Sequence, residues 1–167
     1  FEIYLDDSRL GTELWDTLWT AGQGLDVAPG CPNLIERIEG GLLSYGNEMT
    51  RNNNPLEINL DRFCTLDGRI DYIGRSALEK ISRNGPTQRI RGLLFDGGPC
   101  PPCGSPWPVC ASGNPVGYVT SAIWSPRLER NVALGMVQKS VWATGQSVTV
   151  HSEDGIERTG LLKVPPI

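Results

Sequence analysis

Cys100-Pro101-Pro102-Cys103 is the spacing in this chain best suited to chemistry, because a CxxC pair can supply two zinc ligands or a redox dithiol. A zinc ion needs four ligands. The only nearby addition is Cys110, and the sole histidine, His151, lies far along the chain. The strand–helix–strand setting of thioredoxin-like motifs is also missing. Two prolines inside the motif, with Pro99, Pro106 and Pro108 around it, read as an extended surface loop. Ordinary loop thiols are the favoured reading, and no metal is expected. His151 has no Ser or Cys nucleophile pattern near it and no Asp at a telling spacing, so it reads as a strand-end surface histidine. No GxGxxG, P-loop or HExxH occurs, which removes Gly-rich phosphate cradles.

Two further places carry side chains of interest. Glu2 lies between Phe1 and Ile3 and shares a face with Tyr4 if the segment is a strand. On pattern alone it is the wet side of a half-exposed strand. Tyr118 and Trp124 flank Thr120-Ser121-Ala122-Ile123, and Ser125-Pro126 follows. On spacing alone these aromatics belong to a packed strand end and turn.

The elements that must position these groups fall into two styles. Phe1 to Leu5 reads as a strand. Leu10, Leu14, Leu18 and Ala21 recur at helical spacing, with Trp15 and Trp19 beside them, up to Gly22 and Gly24. Leu25 to Ala28 reads as a short strand. Leu34, Ile35 and Ile38 predict a short helix, with Pro32 suited to its first position and Gly40-Gly41 to its end. A polar, Asn-rich loop follows from Tyr45 to Pro55, then a strand over Leu56 to Phe63 and a helix over Gly74 to Ile81. After Pro86 the runs become short and β-like: Arg89 to Phe95, Trp107 to Cys110, Val116 to Ser121, Asn131 to Val137, Ser147 to His151 and Thr159 to Val164. Gly97-Gly98-Pro99, Ser112-Gly113-Asn114-Pro115 and Glu153-Asp154-Gly155 separate them, which predicts an antiparallel barrel or sandwich. The domain boundary is placed near residues 84–88.

Composition excludes several classes. Hydrophobic residues make up 39% and charged residues 20% of 167, an ordinary globular balance rather than a disordered one. No apolar run approaches the roughly 18 residues of a membrane helix, so no membrane partner is expected. Net charge is −4 with a pI near 5.0, and Lys and Arg are scattered, so no nucleic-acid partner is expected. Five cysteines without a secretion pattern suit a reduced, cytoplasmic setting. Starting without Met on a strand-like run, the chain is expected to have been cut from a longer protein.

Several segments, taken in order, resemble the folate-dependent T-protein family of aminomethyl- and methyltransferases. Phe1-Glu2-Ile3-Tyr4 resembles the end of its G-G-F-E-I-Y strand. Asn33-Leu34-Ile35-Glu36-Arg37-Ile38-Glu39-Gly40-Gly41-Leu42 resembles its R-D-S-L-R-L-E-A-G-L, Pro55-Leu56-Glu57 its T-P-x-E, and Asp71 to Leu78 its D-F-I-G-x-x-A-L. Val116-Gly117-Tyr118-Val119-Thr120-Ser121, Ser125-Pro126 and Asn131-Val132-Ala133-Leu134-Gly135 resemble V-G-x-V-T-S, S-P and N-I-A-L-A. Gly30 to Arg37 and Leu42-Leu43-Ser44-Tyr45-Gly46-Asn47 look most like one branch, the dimethylsulfoniopropionate demethylases. Glycine-cleavage members usually carry an Arg of their folate site where this chain has Asn33.

The resemblance implies an α+β chain: residues 1–86 as the second part of a folate-binding α/β domain, and 87–167 as a small antiparallel β-barrel. It implies tetrahydrofolate as cofactor, with Glu2 gripping the pterin through two parallel hydrogen bonds and Tyr4 lining the same pocket. Asn33, Tyr45 and Trp124 complete the candidate cofactor-binding set, and no catalytic residue is assigned. The implied reaction moves a methyl group from dimethylsulfoniopropionate or a similar onium substrate to tetrahydrofolate. Aminomethyl transfer in glycine cleavage, and demethylation of a methylated amine, are the alternatives. A non-catalytic folate-binding protein assisting iron–sulfur assembly ranks lowest, because Asp71 to Ser76 lacks the cysteine of those relatives. The expected partners are a small-molecule substrate and the missing N-terminal half of the same protein; without that half the fragment is expected to be inactive. A homo-oligomer stays open.

Overall fold

The structure is a computed structural model that describes residues 2–28, 30 and 33–167. It divides into two compact units, Phe1–Pro32 and Asn33–Ile167.

The first unit is built on helix α1 (Gly11–Ala21), entered through a 3-10 turn at Ser8–Leu10. Asp7 starts that turn, its carboxylate accepting from the Arg9 backbone N–H at 3.0 Å. Trp15 and Trp19, one helical turn apart, stack with centroids 6.2 Å apart and an interplanar angle of 5°. Residues 2–5, expected as a strand, have no regular structure, and neither do Val27 and Ala28; Leu25 and Asp26 lie in the turn after α1. A strand needs a neighbour to take its ladder hydrogen bonds, and no described residue pairs with these segments.

The second unit begins with helix α2 (Leu34–Glu39). Asn33 is its N-cap, its side-chain oxygen accepting from the Glu36 N–H at 2.9 Å. The helix therefore starts at Leu34, two residues beyond where a proline-led start at Pro32 would put it, and Cys31 and Pro32 themselves lie outside the described residues. Gly40 ends the helix and Gly41 takes the left-handed φ of 69° that the turn requires. Leu56 to Phe63 is not the expected strand but a run of turns closed by a 3-10 helix at Asp61–Phe63. Asn54 causes this: its side-chain oxygen accepts from the N–H groups of Leu56 (3.0 Å) and Glu57 (3.2 Å) and diverts the backbone into a turn. Leu56, Glu57 and Ile58 are then buried in succession, which a strand with alternating faces would not allow. Helix α3 (Arg75–Asn84) starts after Gly74 and stops at Gly85, both at positive φ.

Six strands among the described residues close into an antiparallel barrel: β1 (Gln88–Phe95), β2 (Trp107–Ala111), β3 (Asn114–Ser125), β4 (Arg130–Gln138), β5 (Ser147–His151) and β6 (Glu157–Lys163). Going round the wall the order is β1-β4-β3-β2-β5-β6. The barrel half of the sandwich-or-barrel alternative therefore holds, and the fold is α+β. Leu93, Phe95, Val109, Val119, Val137 and Leu162 fill the interior and have no exposed surface. The outer faces of β1 and β4 are covered too. Ile38 of α2 packs on Val132 and Leu134, and Ile58 packs on Ile90 and Met136.

One irregularity organises the outer face of β3. The register of β3 on β4 shifts between Val119 and Ser121, so Thr120 is an extra, bulged residue. Val119 and Ala122 both face the core, three positions apart instead of two. Ser121, Ile123 and Ser125 consequently face outward, toward α2. Two glycines let β3 and β4 approach closely before the bulge. A Cβ at Gly117 would lie 2.2 Å from the Met136 carbonyl oxygen, and one at Gly135 2.6 Å from that of Tyr118. Because the obstacle is backbone, Gly117→Ala is expected to destabilise the chain by about 1–3 kcal/mol or more. A lowered urea midpoint at unchanged slope would register this, and an unchanged midpoint would contradict it.

Candidate functional site

The five candidate cofactor-binding residues divide between the units. Glu2 and Tyr4 lie in the first, both exposed, and the Tyr4 hydroxyl donates to Glu2 Oε2 at 2.8 Å. Among the described residues Glu2 Oε1 receives no donor, and Oε2 keeps a lone pair. In the second unit, Asn33 turns its amide oxygen onto the first turn of α2. Tyr45 stands on the turn after α2 with 66% of its surface exposed. Trp124 is half-buried on β3, opposite Asn131 of β4.

A group the sequence did not single out dominates the chemistry of the second unit. Glu48 is buried, and its carboxylate accepts four hydrogen bonds. Oε2 takes Arg37 Nη1 at 2.8 Å and the Ser44 N–H at 2.7 Å. Oε1 takes the hydroxyls of Ser121 (2.5 Å) and Thr120 (3.1 Å), and Arg37 Nη2 also donates to Ser121 Oγ at 2.7 Å. Arg37 further donates to the Leu42 carbonyl at 2.9 Å, so one guanidinium fastens the end of α2 to the barrel wall. Burial pushes the Glu48 carboxyl up. The bonds from Arg37, Ser121 and the Ser44 N–H, with the Arg37 charge, outweigh burial and hold it below the ordinary glutamate value.

A second carboxylate works the same joint. Glu39, at the end of α2, accepts from Ser125 Oγ and from Arg127 Nε at 2.9 Å, and these bonds lower its pKa, Ser125 contributing most. Both acids are thus held ionised by fixed donors. They can orient neighbouring groups and hold α2 on β3, but they are not poised to exchange protons near neutrality. Thr120, Ser121 and Ser125 belong to segments noted above for their resemblance, and their hydroxyls bond the acids of α2 and its following turn. The available signal was the Thr-Ser pair, two adjacent hydroxyls that only a bulge can aim the same way.

The cysteine motif sits on the loop between β1 and β2. Cys100 and Cys103 are half-buried against the barrel core. Burial pushes both thiols up, Cys103 to about 11 with help from the charge of Glu153. Asn131, fully buried, ties the loop to β4: its side-chain oxygen accepts from the Cys100 N–H at 2.8 Å, and its amide donates to the Gly98 carbonyl at 3.0 Å. His151 ends β5, with Nδ1 3.5 Å from Glu157. Among the described residues no group of three or more His, Cys, Asp or Glu could hold a metal ion, and no helix is long and apolar enough to cross a membrane.

Residues 1–68 match the family described as the GCVT N-terminal domain, and residues 88–161 match the glycine cleavage T-protein C-terminal barrel domain. The dimethylsulfoniopropionate demethylase DmdA of Ruegeria pomeroyi is 51% identical over 156 residues, covering 93% of this chain and 42% of that protein. An aminomethyltransferase of Symbiobacterium thermophilum is 37% identical over 154 residues, covering 90% of this chain and 40% of that protein. The crystal structure of glycine cleavage system aminomethyltransferase T from Bartonella henselae superposes with a TM-score of 0.68 at 23% identity, over 78% of this chain and 36% of that one. At that identity it speaks to the fold. The chain spans about two fifths of the length of these curated relatives.

Proposed function

The chain belongs to the glycine-cleavage T-protein family, and from that premise we propose that it is part of a tetrahydrofolate-dependent methyltransferase acting on dimethylsulfoniopropionate or a similar onium substrate. Residues 1–86 are then the second part of the folate-binding domain and 87–167 the barrel domain. The observation that carries the reading is the 51% identity to a dimethylsulfoniopropionate demethylase, against 37% to an aminomethyltransferase over a similar span. Asn33 supports the same branch, since it stands where glycine-cleavage members usually carry an Arg.

Tetrahydrofolate, held by Glu2 and Tyr4, would supply N5 as the methyl acceptor, its proton passing to solvent, while the sulfide would leave with the carbon–sulfur electron pair. The sulfonium is already an activated leaving group, so the protein's work is placement and exclusion of water. Glu2 is suited to gripping the pterin, because its exposed carboxylate keeps acceptor capacity on both oxygens while Tyr4 steadies one of them. An amide could not accept two parallel donors in the same way. The exposed ring of Tyr45 offers a face to a cation, and Tyr4 and Trp124 are the other aromatic candidates.

The test uses a chain extended to the relatives' full length. Methyl transfer to tetrahydrofolate from dimethylsulfoniopropionate is expected, without aminomethyl transfer from a lipoyl-bound donor; the opposite preference would overturn the reading. In the same protein Glu2→Gln is expected to weaken tetrahydrofolate binding by more than about 1.5 kcal/mol, the low end for a hydrogen-bonded charge. Unchanged affinity would remove Glu2 from the site.

A further inference from the structure

We propose that Glu48 is the positioning residue for the Tyr45 ring and that barrel strand β3 is its anchor. The functional consequence rests on the reading of Tyr45 as a pocket aromatic; the mechanical claim does not.

The Tyr45 side chain is mostly in solvent, and among the described residues its hydroxyl has no hydrogen-bond partner. Its direction is therefore set by the backbone that carries it. That backbone is a tight turn. The N–H groups of Asn47 (3.2 Å) and Glu48 (3.1 Å) both donate to the Ser44 carbonyl, and the Gly46 N–H donates to the Met49 carbonyl at 2.8 Å. Gly46 supplies the φ of 97° that the turn needs. Such a turn fixes its own shape but not its place on the molecule. The Glu48 carboxylate fixes the place. Oε2 grips the Ser44 N–H at the start of the turn, while Oε1 is held by two hydroxyls of β3. Arg37 bonds both the carboxylate and Ser121, so the turn, α2 and the barrel share one charged joint. The bulge at Thr120 is what presents two consecutive hydroxyls to a single carboxylate. In this arrangement the small barrel sets where a wall of the site stands.

The experiment removes the anchor by steps. Thr120→Val and Ser121→Ala delete hydroxyls without shortening the strand; Glu48→Gln is the severe variant, and if it fails to fold the hydroxyl variants carry the test. The chain is labelled with 3-fluorotyrosine, and the Tyr45 fluorine resonance is assigned by its loss in Tyr45→Phe. Ser121→Ala and the double hydroxyl variant are expected to shift the Tyr45 line while the Tyr72 line stays, with Tm lowered because a buried charge loses hydrogen bonds but the chain still folded. A Tyr45 line unmoved in both overturns the proposal. In the full-length context, the hydroxyl variants are expected to raise the onium-substrate KM about threefold to tenfold with Tyr45 present and to do nothing more on a Tyr45→Ala background, the non-additivity expected of groups acting as one unit. Additive losses overturn positioning in favour of a merely structural role. A shifted line with unchanged KM upholds the positioning and discards Tyr45 from the pocket, so the two failures are told apart.

Discussion

Arg37→Met is expected to lower the stability of the second unit by about 3 kcal/mol, the lower end of the range for breaking a buried ion pair. The Glu48 side chain is wholly buried, whereas Arg37 keeps 20% of its surface in solvent, which is why the lower end applies. Removing the guanidinium leaves the carboxylate with two hydroxyls and one backbone N–H and no countercharge. The size of the effect depends on pH. In the native chain the folded Glu48 carboxyl titrates below its unfolded value. Its contribution is therefore fully present above the ordinary glutamate value of about 4.3 and is lost as pH falls through the lower, folded value. In the variant, burial is opposed by fewer bonds and the carboxyl moves up. The variant is then worst near neutrality and recovers, relative to the native chain, as acid protonates the stranded group. Urea midpoints of the two proteins should converge between about pH 7 and about pH 4. A gap that stays constant across that interval would mean Glu48 is not the group that Arg37 holds.

The second large effect is at Asn131. Asn131→Leu keeps the approximate volume but orphans the Cys100 N–H and the Gly98 carbonyl, and loses a longer contact to the Asp96 carbonyl at 3.4 Å. Buried groups left without partners cost about 1–3 kcal/mol each, so a loss of about 3 kcal/mol is expected. The loop over residues 96–106 should also come loose, and the cysteines report on it. In the native chain Cys103, pushed up to about 11, has almost no thiolate near neutrality and lies half-covered. Release of the loop should speed labelling by a thiol reagent at least about tenfold. Fast labelling of the native chain would refute the packed position of the motif. Slow labelling of a destabilised Asn131→Leu chain would show that Asn131 supports the barrel but not the loop.

The residues behind these effects were visible in the sequence to different degrees. The barrel strands were legible because local rules agree there: short β-like runs at near-regular spacing, bounded by Gly, Pro, Asn and Asp turns. β5 fell at Ser147–His151 as read, and β3 ran longer, to Ser125, because β4 pairs with it along nearly its whole length. Helix α1 and the end of α2 at Gly40-Gly41 were equally plain, since apolar spacing and glycine stops are local signals. The segment Leu56 to Phe63 misled because apolar alternation is only half of what makes a strand. Asn54, just upstream, offers the backbone a competing set of acceptors and wins.

The order of its motifs, through their resemblance to a known family, was enough to place this chain there and to foresee an α+β layout, and it named Glu2, Tyr4, Asn33, Tyr45 and Trp124 as candidates. Tertiary structure alone decided that Arg37, Glu48, Thr120 and Ser121 form one joint, because the hydroxyls lie 72 and 73 residues from the acid they bind. It also made Thr120 a bulge, which reverses the facing of every β3 residue after it, and lodged Cys100 and Cys103 against the core. A sequence specifies local spacing and preference; which distant donors meet a buried charge is settled only when the chain closes on itself and that charge must be satisfied.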